Sequence, residues 1–403
     1  MLLYRKTYMK SMNKGGGLMP DKGYEENIRQ EITETFYWLH QHPELSYEEY
    51  ETTDCLRSVL SAAGIRILEL PLETGLVAEV GQGEPLIALR ADIDALPIEE
   101  QTELPYRSQQ AGKMHACGHD FHAAALLGAA LLLKQQEPQL SGKVLLIFQP
   151  AEEAPGGAEK ILETGVLSGV QAIFGLHTSP LFPVGEVGLM TGPVMAAVDR
   201  FNVEFAGKGA HAAHPEQGND TILMGASFVT SLQSIVSRNV SPLEAAVVTV
   251  TQFHGGNTWN VIPGRVQLEG TVRTQTPAAR VFIRRRLQQI AQGVAASFGG
   301  TAEVQYMAGP PVTYNDSRLC AFARQTAQQA GLLVRPAAAS LGGEDFAYYL
   351  EEIPGMFSLI GTGLGPVNHN PKFVADPQAL YPAAVYMARL AQDALRQEVW
   401  QHD

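Results

Sequence analysis

The stretch FHAAALLGAALLLKQQEPQLSGKVLLIF, residues 121–148, decides the fold. Residues 121–135 read as a helix, Pro138 and Gly142 punctuate the segment after it, and the short apolar run 144–148 reads as a strand. The same alternation continues on both sides. An apolar run at 86–89 precedes the helix, and a short helical stretch near Glu159 and a further run at 172–176 come after the strand. This β-α-β rhythm predicts an α/β chain with a mostly parallel sheet covered on both faces.

Upstream, Ile28, Ile32, Phe36 and Leu39 recur at spacings of four, four and three, which marks one face of a helix ending near His42-Pro43. A second helix is expected after Ser46 and Glu49, which read as a capping box, with Leu56 and Leu60 on one stripe and Gly64 as its stop. Around Ala197 the rhythm changes. Residues 201–205, 246–253, 266–272 and 302–307 read as strands, and 220–236 and 277–298 as helices. The order β-α-β-β-α-β describes a ferredoxin-like unit of roughly 110 residues, large enough to fold on its own. A helix at 319–330, a strand at 356–360 and a helix at 377–397 then restore the first pattern. The expected organisation is a catalytic domain in two parts, 24–196 and 309–403, interrupted by an inserted domain at 197–308. Residues 1–23 carry Arg5, Lys6, Lys10, Lys14 and Lys22 against Asp21 and lack the apolar core of a signal peptide, so they read as a flexible leader.

Composition narrows the function. The chain has 403 residues, and 29 basic against 42 acidic side chains leave a net charge of −13. Such a surface repels nucleic acid and anionic lipid. No run approaches the ~20 apolar residues of a membrane span. Three cysteines, Cys55, Cys117 and Cys320, lie far apart and are odd in number. They argue against a disulfide framework and for a reducing compartment, the cytoplasm.

The densest set of metal-philic side chains is His115-Ala116-Cys117-Gly118-His119-Asp120-Phe121-His122, just ahead of the 121–135 helix. Residues i and i+2 of an extended segment share a face, so Cys117 and His119 can address one ion. A buried cysteine with capping or core histidines explains the same string, and on these residues alone both readings stand. Three further strand ends carry similar groups: Asp92 and Asp94 after 86–89, Glu152 and Glu153 after 144–148, and His177 after 172–176. Ligands collect at the carboxyl ends of strands in open α/β sheets, so these four places are candidates for one site. Glu344 and Asp345 at a helix start, and His369 in a loop, are uninformative alone.

Nine strings in order carry a resemblance: HPELS (42–46), RADIDALP (90–97), MHACGHDFH (114–122), QPAEE (149–153), GLH (175–177), GKGAHAA (207–213), NVIPG (260–264), GTVRT (270–274) and GGEDF (342–346). From about residue 24 to the C-terminus the chain resembles the amidohydrolase branch of the aminoacylase and carboxypeptidase metallopeptidases. That branch includes hippurate hydrolases, auxin-conjugate hydrolases and N-acetyl-amino-acid deacetylases. The resemblance implies two divalent ions, manganese or zinc, held by Cys117, His119, Glu153, His177 and His369, with Asp94 as a supporting carboxylate and Glu152 as general base. It further implies an inserted dimerisation domain whose His211 reaches the partner subunit's active site to stabilise an oxyanion, with Asn260 and Arg273 contacting substrate. The expected protein is a homodimeric hydrolase of N-acyl amino acids, with a metallo-dipeptidase or carboxypeptidase of the same family, or a non-catalytic relic, as alternatives. A zinc nucleobase deaminase would need Cys-x-x-Cys, and a dinucleotide enzyme Gly-x-Gly-x-x-Gly. Neither string occurs.

Overall fold

Every residue from His119 to Leu133 is buried, as a helix that is apolar on all sides must be. The computed structural model describes residues 22–397, so the expected leader lies outside the description except for Lys22 and Gly23, which open the first helix. Two units divide the described chain. One comprises the residues up to Gly192, Tyr314–Ala338 and those from Tyr348 onward; the other comprises Pro193–Thr313 and Ala339–Ala347. The segment Ala339–Ala347, expected with the last part of the catalytic domain, groups with the second unit instead.

In chain order the first unit contains α1 (Lys22–Gln41), α2 (Tyr50–Ala62), β1 (Arg66–Ile67), β2 (Leu76–Gly81), β3 (Leu86–Asp92), α3 (His119–Gln135), β4 (Lys143–Gln149), α4 (Gly157–Glu163), β5 (Val170–Ser179) and β6 (Glu186–Leu189). The second unit comes next with β7 (Ala197–Ala206), α5 (Thr221–Ser234), β8 (Ala246–Gly255), β9 (Arg265–Thr274), α6 (Pro277–Ser297) and β10 (Thr301–Ala308). The chain then returns to the first unit with α7 (Ser317–Gln329), β11 (Leu333–Pro336), β12 (Gly355–Gly361) and α8 (Leu380–Gln397).

The sheet of the first unit has the strand order β1-β2-β4-β3-β5-β12-β6-β11. Its centre, β4, β3, β5 and β12, is parallel. On the flanks β2 runs antiparallel to β4, β1 to β2, and β6 to β12, so the sheet is mixed rather than mostly parallel. The antiparallel members β2 and β6 are short and carry Glu and Gly among their apolar residues, a pattern too brief to register as strands in the sequence. The central strands β3 and β4 are buried almost end to end, as expected for strands covered on both faces. Helix α3 packs against α1 and α8. A Cβ at Gly128 would come within 2.7 Å of Ala384 Cβ and 3.1 Å of Ile32 Cγ2, so the close approach of the three helices depends on this glycine. Leu126, Leu127 and Leu146 are fully buried, and each contributes roughly 1.5–3 kcal/mol.

Helix α2 corrects the capping box. No side chain of Glu49 caps it; Glu44 does so, its carboxylate accepting from Glu51 N at 3.1 Å and Thr52 N at 2.8 Å. Ser46 and Glu49 are thereby released for contacts far away in sequence.

The second unit is an antiparallel sheet of order β8-β9-β7-β10 with the element sequence β-α-β-β-α-β. Burial alternates along β7, and Phe201, Val203 and Phe205 join Phe228 of α5 and Leu287 of α6 in one apolar cluster. Asp220 and Thr276 cap α5 and α6 through Leu223 N and Ala279 N. Buried Asp199 accepts from Arg280 Nε at 3.0 Å and from the Tyr306 hydroxyl at 2.6 Å, which ties α6 and β10 to β7.

Candidate active site

Strands β4, β3 and β5 are neighbours and parallel, so the segments leaving their carboxyl ends emerge together. They deliver Glu152 and Glu153, Asp92 and Asp94, and His177; the turn into α3 adds Cys117 and His119. Cys117 Sγ lies 3.3 Å from His177 Nε2. His119 Nε2 lies 3.9 Å from Glu152 Oε2, and His369 Nε2 lies 3.0 Å from Glu153 Oε1. The donor atoms of Cys117, His119 and His177 lie within 4.8 Å of one another, as do those of Cys117, Glu153 and His369, and those of His119, Glu152 and Glu153. These overlapping triplets make one connected cluster of six side chains.

Surrounding hydrogen bonds aim the imidazoles. The ring Nδ1 of His177 donates to Thr178 O at 2.8 Å, and Nδ1 of His119 donates to Asp94 Oδ1 at 3.1 Å. With Nδ1 engaged, each ring turns Nε2 toward the cluster, where an unprotonated nitrogen can ligate. Burial alone would lower the pKa of His119, yet Asp92 and Asp94 raise it well above the ordinary value. That negative surrounding favours a cation next to the ring. His119 Nε2 and Glu153 Oε1 are both buried without an aligned hydrogen-bond partner. Buried orphans of this kind are costly, and a cation bound among them satisfies both, so the donor set fits a metal. One sulfur, three imidazoles and a carboxylate are donors of the kind that divalent metal ions take.

Backbone geometry fastens the cluster. Asp94 Oδ1 accepts from Glu152 N at 3.1 Å and Oδ2 from Glu153 N at 3.0 Å, while Ser46 Oγ donates to Oδ2 at 2.7 Å. The Cys117 carbonyl accepts from Thr178 Oγ1 at 2.8 Å and Asn368 Nδ2 at 3.1 Å, and His369 N donates to Ala116 O at 2.8 Å. Gly118 has φ +86°, and a Cβ there would stand 2.7 Å from Thr178 Oγ1. Two non-glycine residues at the cluster, Ala151 (φ 55°) and His369 (φ 65°), are also left-handed. Such conformations cost of order 1–3 kcal/mol and persist where their surroundings impose them.

His122 and Asp92 adjoin the cluster, with donor atoms within 4.8 Å of one on His119. His122 Nδ1 meets Asp92 Oδ1 at 2.5 Å and its Nε2 accepts from Thr178 N at 2.8 Å. Burial pushes its pKa down to about 4, and both nitrogens are used, so His122 is a neutral strut. Arg90, fully buried, donates to Asp92 Oδ2 at 2.6 Å and Gln149 Oε1 at 2.9 Å. Sequence reasoning missed Arg90, Thr178, Asn368 and the second roles of Ser46 and Glu49. RADIDALP and HPELS, which contain Arg90 and Ser46, were the available signals.

In the second unit, the residues 210–211 pair with 261–262, placing His211 opposite Val261, and Ala212 N donates to Asn260 O at 3.0 Å. His211 and Asn260 therefore share one two-stranded ribbon, and His211 is exposed. Arg273 lies on β9 opposite Val198. It is half-buried, which lowers its pKa against the opposing pull of Asp199. No hydrogen-bond acceptor holds its guanidinium among the described residues. Glu344 is buried and accepts from Phe346 N at 3.0 Å.

Residues 88–393 match the model of peptidase family M20/M25/M40. An N-acetyl-L-cysteine deacetylase of Bacillus subtilis is 51% identical over 89% of this chain and 86% of its own length. An IAA-amino acid hydrolase of Arabidopsis thaliana, ILR1-like 4, is 40% identical over 88% and 83%. Among solved structures, a Bacillus subtilis protein described as a dinuclear metal-binding peptidase of the M20 family is 43% identical, with a TM-score of 0.84 over 92% of this chain and 99% of that one.

Proposed function

Because the chain belongs to peptidase family M20/M25/M40, we propose that it is a metal-dependent amidohydrolase cleaving N-acyl amino acids, with two divalent ions, zinc or manganese, held by Cys117, His119, Glu153, His177 and His369. The observation that carries this reading is the meeting of these donors at the ends of parallel strands, with Glu152 as a further carboxylate 3.9 Å from His119. Bound there, the ions supply Lewis acidity, polarising the amide carbonyl and acidifying water. Glu152 takes the proton of the attacking water and returns it to the leaving amine nitrogen, so one carboxylate acts first as base and then as acid. His211 donates to the oxygen that gains charge, a contribution of roughly 3–4 kcal/mol. Arg273 pairs with the substrate carboxylate, for which its unengaged guanidinium is suited, and Asn260 supports the same group from the His211 ribbon.

The deacetylase relative supports N-acetyl amino acids as the first substrates to try. A homodimer formed through the second unit, with His211 serving the partner's site, completes the proposal; exposed Leu243 (99%), Trp259 (92%) and Val281 (70%) on that unit support an interface. Sedimentation as a monomer at working concentration would remove it. Three buried free thiols support a reducing, cytoplasmic setting.

The test is amine release from N-acetyl and N-benzoyl amino acids and a dipeptide, with added Mn²⁺ or Zn²⁺. The expected result is release from the N-acyl substrates and a loss of about 10²–10⁴ in kcat for Glu152→Gln, with metal content unchanged. Equal rates for the two proteins would remove Glu152 from its role.

A further inference from the structure

Ser46 and Glu49 have the spacing of a helix cap, but Glu44 occupies that position and the two side chains reach the catalytic loop. Glu49 is wholly buried, and its Oε1 accepts from Ala151 N at 2.8 Å across 102 residues of sequence. Asp94 accepts from the next two amides, Glu152 N and Glu153 N, and is itself held by Ser46. Three consecutive N–H groups, 151 to 153, thus end on two buried carboxylates. Ala151 is left-handed at φ 55°, a conformation that an alanine does not adopt unless constrained. The rotation at this residue determines where the chain carries Glu152.

We propose that Glu49 is a positioning residue for Glu152: by accepting the Ala151 amide it holds the left-handed turn that aims the general base, and Ser46 does the same for Asp94 from the other side. The inference rests on the hydrolase reading for its catalytic consequence, and on the hydrogen bonds alone for the brace. Glutamine keeps a side-chain carbonyl oxygen that can accept the Ala151 amide in the same shape, so it is the matching conservative replacement.

Two measurements test it on the full-length, metal-loaded protein. Hydrogen–deuterium exchange of the peptide spanning 149–154 reads the brace without any substrate. Glu49→Ala is expected to speed exchange there at least tenfold, and Glu49→Gln to restore most of the protection. Steady-state kinetics with the best N-acyl amino acid read the consequence. Since an ångström of misplacement costs about a hundredfold, Glu49→Ala is expected to lower kcat about 10- to 100-fold, with KM within about twofold and metal content unchanged, and glutamine to recover most of the loss. Unchanged exchange in Glu49→Ala, or equal kcat losses in the alanine and glutamine variants, overturns the proposal. A lowered melting temperature with full kcat below it does so too, since it shows a purely structural role. If the wild-type protein cleaves no N-acyl amino acid, the hydrolase reading fails, and the exchange data still decide the brace.

Discussion

Replacing Asp94 by asparagine tests the centre at its most connected point. Four donors converge on this buried carboxylate: Glu152 N and His119 Nδ1, each at 3.1 Å, on Oδ1, and Ser46 Oγ at 2.7 Å and Glu153 N at 3.0 Å on Oδ2. Asparagine keeps one oxygen and turns the other into a donor. With its NH₂ on the Oδ1 side, two donors that cannot turn away would face it. On the Oδ2 side the Ser46 hydroxyl can rotate to accept, and only Glu153 N–H is orphaned. The second arrangement is less costly, and one buried unsatisfied donor costs about 1–3 kcal/mol. The lost negative charge acts separately. A carboxylate behind a ligating imidazole raises its basicity, and removing such a partner weakens metal binding about 10- to 100-fold. Denaturant unfolding of the metal-free protein isolates the first effect, and titration of metal against a chelator of known affinity isolates the second. Metal affinity within about twofold of wild type, together with unfolding free energy within about 0.5 kcal/mol, would refute the reasoning from these four bonds.

Three further outcomes are expected. Gly118→Ala adds a Cβ 2.7 Å from the Thr178 hydroxyl at φ +86°, so it should cost at least about 1–2 kcal/mol in urea unfolding and weaken metal binding through Cys117. His40 has Asp120 Oδ2 2.6 Å from Nδ1 and Glu100 Oε1 3.3 Å from Nε2. Burial works against its charge, but the carboxylates raise its pKa to about 9. Because the folded value exceeds the unfolded one near 6.5, its stabilisation is full below that pH and is lost as pH rises through 9. Wild-type unfolding free energy should therefore fall from pH 7 to above 9, and His40→Gln should flatten that decline. Arg273→Ala should lower kcat/KM for an N-acyl amino acid about 10- to 100-fold, as the loss of a charge-assisted pair implies. An N-acyl amine without a carboxylate should be cleaved equally by both proteins.

How far a single sequence reveals such a centre depends on how local each signal is. The runs at 86–89, 144–148 and 172–176 are legible because strands buried on both faces need unbroken apolar residues, and β3, β4 and β5 then carry Asp94, Glu152, Glu153 and His177 at their ends. The flanking strands β2 and β6 are not legible, since Glu79 and Gly188 interrupt runs only a few residues long; with them went the antiparallel half of the sheet's character. Ser46 and Glu49 show the opposite failure. Their spacing satisfies a local rule, but capping is a competition for amides, and Glu44 wins it from outside the pattern. His369 is a lone loop histidine by pattern and joins the cluster only because its own amide bonds Ala116 O and Asn368 bonds the Cys117 carbonyl, 251 residues away. Side chains that ligate leave motifs, because chemistry restricts residue type and the strand ends restrict place. The groups that brace the site, Asp94, Glu49 and Thr178, act largely through backbone amides and carbonyls that every residue possesses. Their partners carry no signature, and only the folded chain identifies them.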